Sequence, residues 1–281
     1  MLLVLLACGT RPTPFDAGLD TDAGSDAGDE ADAGTAVADA GTVVDAGALV
    51  DAGTLVDLDR DGLDDALEAR LAVEYLPSLS LHPNDECPLG GMIYRARPHP
   101  MNPALVFIVY SWLFERDCGI GSHVGDNEAF GVTINPARPP PLGLTAVKAI
   151  SHQNTLCQKV TACGACAGLD PCEAGDGGRP RLYSSRNKHA GYVQKKSCVL
   201  LAICTDDCAA GERFGVPLVN VGEPGAHLVE DLTDAGFITA DAGWTRAEVF
   251  HFNPWGPDDF GGAGAPAGDL VDPAFDTPAC L

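Results

Sequence analysis

The longest apolar stretch in the body of the chain, Ala104–Tyr110 (Ala-Leu-Val-Phe-Ile-Val-Tyr), constrains its fold most. No run approaches the roughly 18 apolar residues that a membrane-spanning helix needs, so this one reads as a buried strand. A candidate strand over Ala104–Phe114 delivers Asp117 into a glycine-rich turn, Cys118-Gly119-Ile120-Gly121-Ser122. His123, Asp126 and Glu128 follow at H-x-x-D-x-E spacing. Strand side chains repeat every two residues, so Asp126 and Glu128 share a face if they lie on one strand. His123 sits at the turn, and Asp117 is placed to fold back across it. One imidazole and up to three carboxylates form a set suited to Mg²⁺, Ca²⁺ or Mn²⁺. The same spacing also fits a hairpin whose acidic residues merely face water.

Short apolar segments separated by Gly and Pro fill the rest of the body. Candidate strands are Met92–Ala96, Ala104–Phe114, Glu128–Ile134, Leu144–Ser151, Arg181–Ser184 and Phe214–Asn220, with weaker ones at Ala226–Glu230 and Ala247–Phe252. Ala146–Ile150 also suits a helix. Many short strands with turn residues between them predict a mainly β chain, an antiparallel β-sandwich with peripheral helices. Residues 253–281 are rich in Pro and Gly and read as irregular, tied down by Cys280.

The formal net charge is −23. Binding nucleic acid through phosphates needs a basic footprint, which this chain lacks. Residues 9–56 hold ten acids and one base, Arg11, a net of −9, and residues 57–281 carry the remaining −14. The folded part would therefore not be steered to anionic membrane surfaces. In the acidic stretch the triplet Asp-Ala-Gly recurs from Asp16 to Asp51 at irregular intervals. Gly is permissive, Ala buries little and the aspartates repel, so ordering entropy is not offset. Residues 9–56 are expected to be a disordered tether with an r.m.s. span of about 35–40 Å.

Ahead of the tether, Met1–Cys8 is apolar and ends in Leu-Ala-Cys. It resembles a bacterial lipobox, which predicts cleavage before Cys8, diacylation of that cysteine and a membrane anchor at the cell envelope. The basic n-region of such signals is missing. Ten cysteines remain after Cys8, an even number that reads as a disulfide framework in an exported chain. Within it, Cys157-x5-Cys163-x2-Cys166-x5-Cys172 admits three readings: a zinc site, a redox CxxC, or a disulfide-stapled insertion. The exported setting favours the third.

Asp57–Glu68 fits the twelve-residue calcium loop D-x-D-x-D-G-x-x-D-x-x-E. Oxygen ligands are expected from Asp57, Asp59, Asp61, Asp65 and Glu68 and from the Leu63 carbonyl, with Gly62 allowing the sharp turn. A helix should run from the loop to about Tyr75 and end at Pro77. No helix pattern precedes Asp57, which favours a structural clasp over a paired sensor. The predicted layout is thus a lipoprotein signal segment (1–8), a tether (9–56), a calcium loop and helix (57–76) and a β-sandwich domain (77–281).

Several stretches together resemble a known family. Gly119-Ile-Gly-Ser-His123-Val-Gly-Asp126-Asn-Glu128 is similar to the "HVGDWE" element of proteins related to the vacuolar protein-sorting-associated protein Vps-sixty-two. Arg181-Leu-Tyr-Ser-Ser-Arg-Asn-Lys-His189-Ala190 resembles its "VYSSxxxHA" stretch, Ile150-Ser-His152-Gln153 its "SxH" strand, and Leu81-His82-Pro83-Asn84-Asp85 its "FHPDE". The related necrosis-inducing NLP cytolysins carry "YxWYFPKD…GHRHDWE", onto which Tyr110–Asp117 and His123–Glu128 fall. The resemblance implies divalent-metal ligands at Asp117, His123, Asp126 and Glu128. It departs at Asn127, where the family has tryptophan, and at Gly125, where the cytolysins have a second histidine. His152 and His189 are candidates for the same cleft.

Three functions follow as expectations. The first is a surface module whose metal-centred cleft binds a polar head group, glycan or glycolipid. The second is a metal-dependent hydrolase with His152 or His189 as general base. Ser151 and His152 are adjacent, so on a strand they point to opposite faces and form no nucleophile–base pair. The third is a structural envelope protein stapled by metal and disulfides.

Overall fold

The computed structural model describes residues 55–87, 89–198, 206–211, 216–238, 244–262 and 264–276. The expected signal segment, Cys8 and nearly all of the tether lie outside these residues, as do Cys204, Phe214 and Cys280. The elements are α1 (Asp65–Glu74), β1 (Ser78–Ser80), β2 (Leu89–His99), β3 (Asn102–Arg116), β4 (Val124–Ile134), β5 (Leu144–Ser151), β6 (Lys159–Gly164), β7 (Arg181–Ser184), β8 (Gly191–Tyr192), β9 (Leu218–Asn220), β10 (Gly222–Glu223), β11 (Ala226–His227) and α2 (Pro266–Val271). Among the described residues no helix is long and apolar enough to cross a membrane.

Strand β3 is the centre. Its even residues Val106, Ile108, Tyr110, Trp112 and Phe114 belong to one core, and its odd residues Phe107, Val109 and Leu113 to another. A strand buried on both faces must be apolar at every position, which explains the unbroken run in the sequence. Around it the main sheet runs β6-β5-β4-β3-β2-β9, antiparallel except that β9 joins β2 in parallel. A three-stranded sheet, β1-β7-β8, supplies the second layer of the sandwich.

The first core lies under α1 and the small sheet, with Leu71, Ala72, Tyr75, Leu79 and Leu182 against the even face of β3. Asp64 caps α1 by accepting from the Leu67 amide at 3.1 Å. The Tyr110 hydroxyl donates to the Ala72 carbonyl at 2.9 Å and fastens the helix to the sheet. The second core is built by the C-terminal third of the chain. Phe237, Phe250, Phe252, Phe260, Leu270 and Phe275 cover the odd face. Phe250 sits at the hub, 5.9 Å from Phe237, 5.3 Å from Trp244 and 5.8 Å from Phe260 between ring centres. Gly90 gives that ring its seat, since a Cβ there would lie 2.5 Å from Phe250 Cζ.

Strands β5 and β7 have the predicted bounds, and β2, β3 and β4 extend beyond them. The Ala146–Ile150 stretch is strand rather than helix. Ala247–Phe252 is not a strand: Ala247–Phe250 is a 3-10 turn. A turn lets Phe250 drop into the aromatic hub while Glu248 stays paired with Arg246. Residues 253–276 contain α2 and a short 3-10 turn, Pro273–Phe275.

The cysteine-rich segment is part of the sheet rather than an insertion. Its residues Lys159–Gly164 form β6 on the edge of β5, with Thr161 and Cys163 buried and Val160 exposed. Cys163 pairs with Cys172, Cys87 with Cys118 and Cys198 with Cys208, and Cys157 and Cys166 are also disulfide-bonded. Cys163 and Cys166 are therefore neither zinc ligands nor each other's redox partner. The Phe250→Ala variant is expected to lose about 3–5 kcal/mol of stability, read as a lower denaturation midpoint at unchanged m-value.

Candidate functional site

Two groups of carboxylates stand out. The first is the loop before α1. Gly62 takes φ +96° and Arg60 φ +66°, which curls residues 57–63 into a tight turn. Asp57 accepts from the Arg60 amide at 2.6 Å and the Gly62 amide at 3.0 Å, and Asp61 accepts from the Leu63 amide at 2.6 Å. Ligand atoms of Asp57, Asp59 and Asp61 lie within 4.8 Å of one another, as do those of Asp59, Asp65 and Glu68. Asp59 and Glu68 are 2% and 0% exposed. Both Asp59 oxygens, Asp61 Oδ2 and Glu68 Oε1 are buried without a hydrogen-bond partner. Burial, and then Asp61, pushes Asp59 up to about 7. Burial, then Asp61 and Asp59, pushes Glu68 up to about 8. The five carboxylates predicted from the sequence therefore come together. Orphaned buried oxygens of this kind suit a hard cation with oxygen ligands, Ca²⁺ above all.

The second group lines a cleft of about 300 Å³ where β4 meets the end of β5. The Cys87–Cys118 disulfide and the bond from the Cys118 amide to the Asn187 carbonyl, 2.9 Å, fix the turn after β3. Asp126 and Glu128 point to the same face of β4, as their spacing requires. Asp126 accepts from His189 Nδ1 at 2.6 Å, and His189 Nε2 lies 3.4 Å from Asp85 Oδ1. The buried His189 ring stacks on Phe114 at 3.6 Å and 3°. Burial alone would lower the His189 pKa; the hydrogen bonds to Asp126 and Asp85 outweigh it and push it up to about 9. His189 is thus an imidazolium held between two carboxylates.

Asp117 is turned towards Lys188, whose Nζ is 2.5 Å away. His123 donates Nδ1–H to the Gly125 carbonyl at 2.7 Å, which leaves its Nε2 facing Asp117 Oδ2 at 3.7 Å. His152 lines the cleft and donates Nε2–H to Asp206 at 2.6 Å; Tyr192 donates to the same carboxylate. Burial works to raise the Asp206 pKa, but the bonds from His152 and Tyr192 hold it below the usual carboxylate range. Asn127 donates to Asp269 at 2.7 Å, while burial pushes Asp269 up to about 7. Glu128 is driven well above the usual range by burial, then by Asp126, Asp269, Asp206 and Asp117.

His123, Asp126, Glu128 and His152 therefore meet on one cleft, with His189 behind Asp126. Among the described residues, the ligand atoms of Asp117, His123, Asp126 and Glu128 do not draw together as those of the loop do. Lys188 pairs with Asp117 and His189 with Asp126. His152 of the cleft and His189 behind it have left-handed backbones, φ +52° and +55°, a conformation uncommon outside glycine. Gly125 also has positive φ, +68°, and a Cβ on it would lie 2.3 Å from the Phe260 carbonyl. The C-terminal segment rests on that backbone, so no histidine fits there. Asp206 comes from a distant loop and Asp269 from α2, and no spacing in the sequence connects them to β4.

No family model and no curated protein matches the chain. Solved structures of the NLP type do match, at low identity. A triple mutant of NLPPya is 18% identical over 55% of this chain and 73% of its own, with a TM-score of 0.36. NLPPya in complex with glucosamine is 19% identical over 56% and 73%, TM-score 0.34. Necrosis and Ethylene inducing Protein 2 from the causal agent of cocoa's Witches Broom disease is 17% identical over 60% and 81%, TM-score 0.32.

The raised carboxyls set a pH dependence. A carboxyl whose folded pKa is raised favours folding when protonated, and that contribution is lost as pH rises through the folded value. For Asp59, Glu68 and Asp269 the loss falls between about pH 4 and 8. His189 contributes fully below 6.5 and loses its contribution as pH rises through about 9. In EDTA, stability should therefore be greatest near pH 4 and fall by pH 9, by on the order of several kcal/mol, read as a falling Tm. Millimolar Ca²⁺ should flatten the part of the fall below pH 8. A profile in EDTA that is flat, or that rises with pH, contradicts the charge assignments.

Proposed function

We propose that the chain is a membrane-tethered extracytoplasmic lipoprotein, lipidated at Cys8, whose acidic cleft binds a divalent cation and, through it, the hydroxyl or phosphate oxygens of a polar head group or glycan. One observation carries the reading. Around the cleft Lys188 balances Asp117, His189 balances Asp126, and His152 pairs with Asp206, but among the described residues Glu128 and Asp269 face no cationic side chain. Glu128 lines open volume, where a cation can reach it. A divalent ion would neutralise that excess, and a set of oxygens with one imidazole suits Mg²⁺, Ca²⁺ or Mn²⁺.

The His123 tautomer supports the same reading. Its Nδ1–H is committed to a backbone carbonyl, which leaves the Nε2 lone pair free on the side of Asp117. Metal-bound histidines are oriented in this way. Glu128, Asp126, His123 and Asp117 would hold the ion. Bound there, it would supply a Lewis-acidic contact to ligand oxygens. His152 and Gln153 on the rim would offer further hydrogen bonds.

The second reading is a hydrolase. It is favoured by His152, which Asp206 orients and which lines the cleft, as a general base acting through water would have to.

Elemental analysis of the chain purified from an oxidising compartment tests the cation. Two divalent ions per chain are expected, one lost in Glu128→Ala/Asp126→Ala and the other in Asp61→Ala. Retention of both ions by the Glu128→Ala/Asp126→Ala variant would overturn the cleft assignment. Glycan and head-group arrays should show binding that EDTA abolishes. Turnover of phosphoester or glycoside substrates, lost in His152→Ala, would move the conclusion to the hydrolase.

A further inference from the structure

We infer that the loop 57–68 is a calcium site which works as a staple across the whole length of the folded chain, holding the edge strand β9 and the hairpin β10–β11 against α1. The inference stands apart from the cleft and does not depend on what the cleft binds.

The ligand set is built, not merely acidic. Asp59 is 2% exposed with both oxygens lacking a donor, and Glu68 is fully buried with Oε1 lacking one. A buried carboxylate without a partner costs several kcal/mol on the order of a lost charge-assisted hydrogen bond or more. Two such side chains, with the unpartnered Oδ2 of Asp61 beside them, aimed into one space call for a cation.

The far wall of that space comes from residues more than 150 positions away. Asn220, the last residue of β9, donates to Glu68 Oε2 at 2.5 Å and orients it. Gly222 of β10 packs against the loop so closely that a Cβ there would lie 3.0 Å from Asp59 Cβ. Glu223 adds a carboxylate that bears on Asp59 and Asp61. Glu223 is itself held by Arg95 through two 2.5 Å contacts.

Without a cation, the loop's carboxylates repel one another and, less strongly because Arg95 holds it, Glu223. A divalent ion between Asp59, Asp61 and Glu68 reverses the sign and draws the wall in. Strand β9 needs that help. It has three residues, pairs with β2 in parallel and lies at the edge of the sheet, and so short a parallel pairing is weak by itself. Asn220 is a positioning residue here: it touches Glu68, not the ion.

Hydrogen exchange of the full chain, made metal-free and then given Ca²⁺ alone, tests the staple. Ca²⁺ is expected to slow amide exchange at least about ten-fold both in residues 57–74 and in residues 216–223, whereas equimolar Mg²⁺ should not. Asn220→Ala should still bind Ca²⁺, with affinity weakened about 10- to 100-fold, and should lose the protection of 216–223 at Ca²⁺ levels that saturate the wild type. Asp59→Asn should lose both effects. Three results would each overturn the inference: no Ca²⁺ binding by calorimetry, protection confined to residues 57–74, or an Asn220→Ala variant indistinguishable from wild type. Wild type and Asn220→Ala decide the matter even where Asp59→Asn does not fold.

Discussion

Burial of β3 on both faces is the constraint from which the rest of the fold follows. One strand cannot hide two apolar faces, so two separate covers must be found. The even face takes α1 and the small sheet, and the odd face takes the aromatic residues of the C-terminal third. Each buried phenylalanine contributes about 1.5–3 kcal/mol, and Phe237, Phe250, Phe252, Phe260 and Phe275 all serve the odd face. This is how a C-terminal region with little regular structure becomes as firmly part of the core as the strands. Disulfides then fix the loops that the sheet does not reach.

Charge organises what the apolar packing leaves. Carboxylates gather at two places, and each place balances them differently. In the cleft, Lys188 and the imidazolium of His189 neutralise two of them, and the stacking of His189 on Phe114 keeps that cation in register. In the loop before α1 the buried oxygens of Asp59, Asp61 and Glu68 have no such partner. The two sites also lie on one connected frame. Arg95 holds Glu223 beside the loop and donates to the Leu270 carbonyl of α2 at 3.0 Å, and α2 carries Asp269 of the cleft. The C-terminal segment that completes the odd core thus also supplies part of the cleft and closes over Gly125.

Much of this was legible in the residues. Apolar segments bounded by Gly and Pro marked β2, β3, β4 and β5 of the main sheet, and β5 and β7 kept their predicted limits. The carboxylate cluster of residues 57–68 was legible because its members sit at fixed intervals on one turn, so spacing alone brings them together. Asp126 and Glu128 shared a face for the same reason. The misreadings were places where local pattern and tertiary demand diverge. Strand β6 hid in a polar, cysteine-rich stretch because only Thr161 and Cys163 face inward. The stretch after Ala247 looked like a strand because it is apolar, yet Phe250 is apolar for the aromatic hub, not for a ladder.

The sequence by itself determined the mainly β class, the central strand, the loop 57–68 and the identity of the residues at the hairpin. These depend on periodicity and on neighbours within a dozen positions, which a linear chain displays directly. Only the tertiary structure decided that Lys188 and His189 would pair with Asp117 and Asp126, that Asp206 and Asp269 would join the cleft, and that Asn220 would reach Glu68. Those pairings join residues 54 to 152 positions apart. Such contacts follow from how the two covers settle on β3, and no local pattern encodes them.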